Sequence, residues 1–506
     1  MKTFFLIAIL TIQYSISSQV FSQAGPKGEP VSTQYSVELN NKNLFVYQAR
    51  VSGIAANVWP CTVRPIEQSE IASFCSFEVD KAVNIKIQSK TKIENLVIRP
   101  LSLKIKATVT GNTISFKIGK PCQFVVEVNG RHGALHLFAN PIEKNAPTKS
   151  SENVLYFGPG IHFPGTIRAK SNQTIYISSG AVVHGNIYAS KVKNLKIRGR
   201  GILDASTLVR NVDSLTILQL EQCQKVSIEG IILRDSHIWT LLAHECNEVD
   251  IDNIKIIGMW RYNADGIDIV NTRNVSIQNC FVRAFDDCIV TKGINNFYWA
   301  QHNPDWDAKT QSNVKNVVVK NCVIWNDWGR ALEIGAETVA DSITNVLYEN
   351  IDIIHYVNVA MDIQNGNRAN VSNITYDNIR IEEPITEVFW DAGESLIKNL
   401  EDEIKQYGNK HKLRLDQIGC LIDVNIRDNG WVKDTGYGTV NNIIFKNIYY
   451  SSKSHIPESF FIGFSSKNAI KNIGFQNVFI NGNKISKVKD LNFSSNEFVE
   501  NLYLIK

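Results

Sequence analysis

The first part of the chain alternates apolar and polar residues over short runs. Between Val31 and Ala139 these runs include SFEVD, NIKI, SLKIKATV, TISFKI and QFVVEV, and turn sequences such as Thr110-Gly111-Asn112 separate them. A period of two places one face of a strand on a core and the other in solvent. Several such strands joined by frequent turns predict an antiparallel β-sandwich, which we assign to residues 23–145.

A different pattern begins near Val154 and recurs toward the C-terminus. Its units read Asn or a similar residue, apolar, any, apolar, any, Asn or Gly, apolar, as in NLKIRGR, NVSIQNC and NITYDNI. Most copies are 23 to 31 residues apart. A repeat of this length that forms short strands predicts coils stacked about 4.8 Å apart, with equivalent residues above one another. The second apolar position is occupied by Ile197, Ile228, Ile251, Ile277, Val319, Tyr348, Tyr376, Phe445 and Phe475.

The repeat favours one type of solenoid. Its β-branched residues and its lack of a helical period argue against a helical solenoid, and the leucine spacing of a leucine-rich horseshoe is absent. We therefore predict an all-β fold, in which the N-terminal β-sandwich is followed by a right-handed parallel β-helix over residues 154–506. Stacked amides are expected to form a hydrogen-bonded ladder. Seven copies carry such an amide: Asn253, Asn279, Asn321, Asn350, Asn378, Asn447 and Asn477.

Two longer segments interrupt the repeat, near residues 295–311 and 382–439. The first is rich in aromatic residues and includes Trp299, and the second contains ESLIKNLEDEIKQYG, which predicts a helix. Long loops on one face of a solenoid commonly form the wall of a binding site. We expect both segments to border the functional site.

Composition and charge restrict the possible partners. A hydrophobic content of 44% with 20% charged residues is typical of a globular protein, and a net charge of +4 without a Lys/Arg run gives no support for a nucleic-acid partner. Lys2 precedes an apolar stretch, residues 4–12, that is too short to span a bilayer. This predicts a signal peptide over residues 1–22, a secreted or periplasmic protein, and no membrane span.

The cysteines do not indicate a metal site. Their number, nine, is odd, so at least one is unpaired, and no Cys-x-x-Cys spacing occurs. We therefore predict neither a metal nor another cofactor. Five cysteines fall inside the repeats, where we interpret them as small apolar core residues: Cys223, Cys246, Cys280, Cys288 and Cys322.

Two acidic motifs lie on consecutive predicted coils. Asn263-Ala264-Asp265-Gly266-Ile267-Asp268 precedes Asp286-Asp287-Cys288-Ile289, and Asp265 and Asp287 are 22 residues apart, close to one coil. Stacking would bring the carboxylates together, and their repulsion would hold one proton at a raised pKa. Glycosidic cleavage needs an acid for the leaving oxygen and a second carboxylate for water or the sugar. Taken singly, each motif could be a surface turn, but the spacing favours a catalytic site.

These motifs carry a resemblance to a known family. NADGID and DDCIVTKG resemble the NTDGxD and DDCIAxKSG signatures of polygalacturonases, glycoside hydrolase family 28, and GRALEIG stands in place of their GHGxSIG. The family 49 dextranases and isopullulanases, with an N-terminal β-sandwich, a β-helix and three aspartates, are also similar. The resemblance implies an inverting hydrolase in which Asp286 is the general acid and Asp265 and Asp287 activate water. It further implies that Lys292 contacts a sugar or tunes an aspartate.

The substrate-binding positions depart from the family pattern. Arg330 stands where the family has histidine, and the Arg-Ile-Lys motif that grips uronate carboxylates aligns with Asp362-Ile363-Gln364. An anionic Asp362 would repel a uronate, and Gln364 cannot form an ion pair. The predicted substrate is therefore a neutral polysaccharide or oligosaccharide rather than polygalacturonate, with sulfated sugars left open by Arg330.

The tryptophans Trp239 and Trp299 are further candidates for substrate binding, since aromatic rings stack on sugar faces. Two other functions stay open at this stage. A polysaccharide lyase could use Lys292 and Arg330, and a non-catalytic carbohydrate-binding β-helix would need none of the aspartates. The triple carboxylate favours hydrolysis over both.

Overall fold

The computed structural model describes residues 20–55, 64–210, 212–294, 313–386, 418–428, 436–453 and 455–506. Most of the predicted signal peptide, Trp299, the segment 295–311 and the predicted helix of the second insertion lie outside these residues. The described residues form β-strands and three short 3₁₀ turns, Ile66–Gln68, Leu101–Leu103 and Val488–Leu491. None of the helical segments among them is long and apolar enough to cross a membrane.

Eleven strands of the described residues precede residue 141. They are β1 Val20–Phe21, β2 Tyr35–Leu39, β3 Lys42–Asn43, β4 Tyr47–Ser52, β5 Ser69–Val79, β6 Val83–Ser89, β7 Leu96–Arg99, β8 Thr108–Thr110, β9 Thr113–Ile118, β10 Cys122–Val128 and β11 Leu135–Asn140.

These strands form two sheets that enclose one apolar core. One sheet has the order β1-β5-β11-β10-β7, with β4 also paired to β5, and the other has the order β3-β2-β6-β9-β8. The pairings are antiparallel except for the parallel pair β5–β11. The inward-facing residues of both sheets, among them Val37, Ile85, Phe124 and Leu137, pack together between the sheets. The β-sandwich of the sequence prediction is confirmed.

The remaining strands belong to one sheet of 29 strands, which winds into a solenoid with three faces. Face A is β12 Val154–Phe157, β14 Thr174–Ile177, β16 Lys193–Gly199, β19 Gln224–Glu229, β22 Asn247–Asp252, β25 Arg273–Gln278, β28 Val314–Lys320, β31 Ser342–Tyr356, β33 Asn370–Pro384, β35 Thr439–Tyr450, β37 Ile470–Ile480 and β40 Val499–Leu504. Face B is β13 Gly160–Arg168, β15 Ala181–Ser190, β17 Ile202–Asp204, β20 Ile232–Arg234, β23 Lys255–Ile257, β26 Phe281–Ala284 and β29 Val323–Asn326. Face C is β18 Leu218–Glu221, β21 Leu241–His244, β24 Ile267–Val270, β27 Ile289–Gly293, β30 Arg330–Thr338, β32 Val359–Asn365, β34 Cys420–Ile426, β36 Ser459–Ile462 and β39 Phe493–Ser495, and β38 Asn483–Lys484 forms a hairpin with β37.

The stacking register of face A agrees with the sequence repeat residue by residue. Each of the nine predicted core positions pairs with the next, from Ile197 opposite Ile228 to Phe445 opposite Phe475. Toward the C-terminus these positions are aromatic, and the rings of Tyr348, Tyr376, Phe445 and Phe475 stack with centroids 4.8 to 5.7 Å apart. The right-handed parallel β-helix of the sequence prediction is confirmed.

Asparagines occupy the bends between the faces. The predicted amide positions have a positive φ near +55°, which asparagine tolerates better than most residues because its short side chain bonds locally. Asn350 Nδ2 donates to Asn321 Oδ1 at 2.7 Å, and Asn477 Nδ2 donates to Asn447 Oδ1 at 3.1 Å. The ladder is interrupted where Asn447 bonds Asp377 instead. Such bends let each coil turn while the amide side chains bond along the stack.

The β-sandwich packs along face B. Phe74 and Phe138 of the sandwich share an apolar cluster with Phe281 and Trp325 of the solenoid. Buried Lys255 donates from face B to Asn140 Oδ1 of β11. Because the sandwich covers face B, the open side of the solenoid begins at the corner where face B turns into face C.

Candidate active site

Three aspartates meet at the corner between faces B and C. Asp265 lies in the loop between β23 and β24, and Asp286 and Asp287 lie one coil later, between β26 and β27. The pairing of Ile267 with Ile289 sets this register. One carboxylate oxygen of each aspartate lies within 4.8 Å of one oxygen of the other two. The structure thus brings together the three residues that the sequence selected as catalytic.

Backbone contacts between successive coils hold this arrangement. The amide of Asp286 donates to Ala264 O at 3.2 Å, and the amide of Gly266 donates to Asp287 O at 2.8 Å. On the following coil Gly329 lies against the aspartate pair, and a Cβ at that position would lie 2.4 Å from Asp286 Oδ1. Such a contact is far inside the van der Waals limit, so the carboxylates can stand here only because Gly329 lacks a side chain.

Lys292 is the central cation of the site. Its Nζ lies 3.1 Å from Asp265 Oδ2, 3.4 Å from Asp268 Oδ1 and 3.6 Å from Asp287 Oδ2, and its side chain is buried. Burial opposes the charge of a lysine, but these carboxylates outweigh it and raise the pKa of Lys292. One lysine therefore contacts two of the three clustered aspartates and the second aspartate of NADGID.

Asp286 has a different environment. Within the described part of the chain no lysine or arginine nitrogen lies within the 4.0 Å of an ion pair, and Asp286 is the most exposed of the three. Burial and the charges of Asp287 and Asp265 raise its pKa well above the usual range. The pKa of Asp265 is also raised by burial, and Lys292 opposes the shift of both groups. Asp286 differs from the other two aspartates in having no short contact with Lys292 among the described residues.

Arg330 connects the aspartates to the next coil. Its guanidinium lies 3.9 Å from Asp287 Oδ1 and 3.3 Å from Asp362 Oδ2, and its amide donates to Asp287 Oδ1 at 3.2 Å. Asp362 accepts a hydrogen bond from Gln364 Nε2 at 2.9 Å, and Arg427 donates to Gln364. Burial and then the charge of Asp423 raise the pKa of Asp362 to about 7.

Trp239 is not exposed, as a ring that stacks on a sugar would be. Its ring is 5% exposed, and Lys292 Nζ lies 4.2 Å from the ring centroid. The indole therefore supports the lysine by a cation–π contact. Trp299, the other tryptophan candidate, lies outside the described residues.

Sequence reasoning gave no catalytic role to several residues of the site. Asp268 is fully buried beside Lys292, and its pKa rises to about 7 through burial. Glu333 is buried next to Asp287, and Glu337 Oε2 lies 3.8 Å from Lys292 Nζ. Tyr262 lies on the loop that carries Asp265, and burial and then Asp286 raise its pKa. The sequence shows that polar and core residues alternate along these strands. Which neighbouring residues these side chains contact depends on how the coils stack in three dimensions.

The carboxylate oxygens could also serve a hard cation, which prefers such ligands. Asp265, Asp286 and Asp287 would be the donors. Lys292 already supplies positive charge to two of them, so the donor set is compensated by the chain itself.

Comparison with known families agrees with the motifs. The model of Glycosyl hydrolases family 28 matches residues 147–391, slightly less than half of the chain. The chain is similar to glycosyl hydrolases of family 28. The matched segment contains both acidic motifs and GRALEIG, so the polygalacturonase-like resemblance of the sequence prediction is confirmed.

Curated relatives cover a similar segment. Exopolygalacturonase B of Aspergillus niger is 26% identical over 295 residues, which are 55% of this chain and 54% of the relative. Probable exopolygalacturonase B of Aspergillus terreus is 28% identical over 225 residues, 42% of this chain and 45% of the relative. The chain thus spans about half the length of the curated relatives it matches.

One solved structure extends the likeness of the fold. Dex49A from Penicillium minioluteum covers 95% of this chain and 95% of its own, with a TM-score of 0.62 and 16% identity. This match includes the β-sandwich as well as the β-helix, whereas the family 28 match begins at residue 147.

Proposed function

We propose that the chain is a secreted glycoside hydrolase that cleaves glycosidic bonds of a polysaccharide or oligosaccharide. The observation that carries the proposal is the convergence of Asp265, Asp286 and Asp287 at one solenoid corner. A proton donor beside ionised carboxylates is the equipment that glycosidic cleavage requires. The family 28 match and the exopolygalacturonase relatives support the same reaction class.

The roles follow from the charge environment. Asp286 protonates the leaving oxygen, because it lacks the lysine contact that Asp265 and Asp287 share. Asp265 and Asp287, both bound to Lys292, orient and deprotonate one water on the opposite side of the sugar. Lys292 holds these two carboxylates in position while Asp286 loses and regains its proton.

We further propose inversion of the anomeric centre. The oxygen separations, within 4.8 Å, are shorter than the roughly 6.5 to 9.5 Å usual between the carboxyl groups of inverting enzymes. The proposal of inversion therefore rests on the family resemblance and on the pairing of Asp265 with Asp287 around one lysine. Proton NMR of the first-formed product distinguishes inversion from retention.

The substrate is proposed to be neutral. Glu333, Asp362 and Asp423 occupy one row of face C beside the aspartates, each paired in register with the next. All three are buried. The neighbouring Arg330 is already within ion-pair distance of Asp287 and Asp362, so it does not offer a free cation to a uronate carboxylate.

Arg330 was the reason for keeping sulfated sugars open. Its guanidinium is already within ion-pair distance of Asp287 and Asp362. A sulfate would have to compete with both carboxylates for it. This argues for neutral over sulfated glycans, and both belong in the substrate screen.

The test is a screen of purified protein on neutral glucans and galactans, sulfated galactans and polygalacturonate, read as released reducing sugar. The expected result is highest turnover on a neutral glycan and loss of that activity in Asp286→Asn. Efficient cleavage of polygalacturonate would overturn the substrate proposal. Products that absorb in the near ultraviolet would indicate a lyase, and an inert wild-type protein that binds glycans would overturn the hydrolase proposal.

A further inference from the structure

Arg64 belongs to the β-sandwich but reaches the corner of the solenoid where the aspartates lie. It precedes β5 and is only 2% exposed. Its Nη1 donates to Trp260 O at 2.5 Å, and its Cζ lies 3.9 Å from the ring centroid of Phe285. Trp260 lies in the loop that carries Asp265, and Phe285 directly precedes Asp286 in the loop of the next coil. One buried arginine of the other domain therefore contacts both loops that carry the clustered aspartates.

The two loops are also bonded directly to each other. The amides of Phe285 and Asp286 both donate to Ala264 O, at 3.2 Å each. This junction lies beside the aspartate of either loop, so it determines how far apart the carboxylates of the two coils stand. Arg64 contacts the first loop upstream of the junction and the second loop at Phe285 itself. The arginine is thus placed to restrain the junction from both loops.

The rest of the guanidinium is bound within the β-sandwich. Its Nε donates to Gln68 Oε1 at 3.0 Å, its Nη1 to Ser52 Oγ at 3.1 Å and its Nη2 to Ile54 O at 3.3 Å. These acceptors are uncharged, and no carboxylate of the described residues forms an ion pair with Arg64. Burial of a charge without an ionic partner is unfavourable, and here the hydrogen bonds and the cation–π contact offset it.

This arrangement couples the position of the loops to that of the β-sandwich. If Trp260 O moved away, a buried N–H of a charged group would lose its acceptor in a place where water cannot replace it. If Phe285 moved away, the buried charge would lose its aromatic partner. Elsewhere the two domains are joined by ion pairs, such as that of Arg99 with Glu382, whose partners do not belong to the aspartate loops.

We propose that Arg64 is a positioning residue, through which the β-sandwich fixes the relative position of Asp265 and Asp286. The inference rests on the proposed function, in which Asp286 is the general acid and Asp265 orients the water. Arg64 itself does not touch the substrate, and it acts only through Trp260 and Phe285. The β-sandwich is then needed for turnover as well as for stability.

Arg64→Met tests this role, because methionine keeps an unbranched apolar side chain but has neither the charge nor the N–H donors. We expect kcat to fall about 10²-fold, since small displacements of catalytic groups have an effect of this size, while KM changes by less than about three-fold. Arg64→Lys keeps the charge and can still donate, but it has no planar face to lie on the ring. It should lower kcat by about 10-fold, and it provides the test if Arg64→Met does not fold.

Arg99→Met is the matched control, because it removes another buried arginine that joins the sandwich to the solenoid. It should lower Tm at least as much as Arg64→Met but leave kcat at the wild-type value, since its partners lie outside the aspartate loops. An equal fall of kcat in both variants would show that any loosening of the domain contact is sufficient, and it would overturn the proposal. Wild-type kcat in folded Arg64→Met and Arg64→Lys proteins would do the same.

Amide hydrogen exchange separates this inference from the hydrolase proposal, because it needs no substrate. In Arg64→Met the amides of Phe285 and Asp286 should exchange at least about 10-fold faster than in wild type, the size expected when a charged group loses one hydrogen bond. Arg99→Met should leave their exchange unchanged. Unchanged exchange in Arg64→Met would refute the positioning role even in an active enzyme. Faster exchange in a protein that cleaves no glycan would support this role and reject only the hydrolase proposal.

Discussion

Gly329 and Asp286 are in such close contact that a single methyl group would not fit between them, since a Cβ on Gly329 would lie 2.4 Å from Asp286 Oδ1 and 2.7 Å from Asp287 Oδ1. The two residues are on consecutive coils. The shape of one coil thus determines where the carboxylates of the preceding coil can stand.

Gly329→Ala should therefore displace both aspartates. We expect kcat to fall by about 10²-fold, because a displacement near 1 Å at catalytic groups has an effect of that size. Steady-state kinetics on the glycan found in the screen would measure it. Gly119→Ala is the matched control, because a Cβ there meets no atom within 4 Å. Equal activity of both variants would contradict the steric argument.

Asp286→Asn should abolish proton donation while it keeps the shape of the side chain. General acid catalysis typically contributes about 10²- to 10⁴-fold, so kcat should fall at least that far, while substrate binding measured by calorimetry should persist. Asp265→Asn and Asp287→Asn should also be severe, and their double variant should be far from additive because both act on one water. Asp341→Asn, an exposed aspartate, is the control. Near-normal turnover in a folded Asp286→Asn protein would remove Asp286 from the mechanism.

Lys292→Met removes the positive charge that compensates the neighbouring carboxylates, so their mutual repulsion should increase. The lysine lowers the pKa of Asp265 and Asp268 against burial, so its loss should move the acidic limb of kcat/KM to higher pH. Removal of one partner of a buried ion pair commonly costs about 3–5 kcal/mol of stability, so Tm should fall as well. Lys315→Met changes an exposed lysine of β28 and should alter neither quantity. An unshifted acidic limb would show that Lys292 does not control the ionisation of the base.

Glu127 should make the stability of the protein sensitive to acid. It lies between the sandwich and the solenoid, where it accepts from His355 and from Arg99. Burial raises its pKa, but His355 and Arg99 outweigh burial and lower it to about 2. A lowered pKa gives stability that is present above the unfolded value and lost as pH falls through the folded one, and the shift corresponds to on the order of 3 kcal/mol.

Glu127→Gln should accordingly be less stable than wild type near neutral pH, and the difference should shrink as pH falls from about 4.5 toward 2. Thermal melts across this range measure it. Glu94→Gln, an exposed glutamate of the same domain, provides the comparison. A constant difference between Glu127→Gln and wild type would show that the ionisation of Glu127 does not carry the effect.

The solenoid could be predicted from sequence because equivalent residues of successive coils recur at regular intervals along the chain. The interval between Asp265 and Asp287 equals one coil, so the clustering of the aspartates followed from counting, as did the stacking of Ile277 on Val319 across a 42-residue interval. These relationships depend on register, and register is carried by the repeat itself.

The remaining features of the site depend on packing between different coils. A tryptophan is a suitable residue for stacking on a sugar, but the ring of Trp239 contacts Lys292. The neighbouring coil supplies this buried cation. The closeness of Gly329 to Asp286 follows from the paths of loops at one corner, which no periodicity encodes. The domain boundaries at residues 23–145 and 154–506, and the roles of Lys292, Arg330, Asp362, Gln364 and Trp299 in substrate binding, remain predictions.

The contacts of the β-sandwich with face B also affect how the solenoid unfolds. Repeat proteins can fray from their ends, one unit at a time, because each unit touches only its neighbours. Here one domain bridges many units, from Arg234, bound to Glu29, to Glu382, bound to Arg99. The sandwich thereby cross-links those coils. Amide hydrogen exchange in the bridged coils should need global unfolding, whereas the coils after residue 420 should exchange faster through local opening.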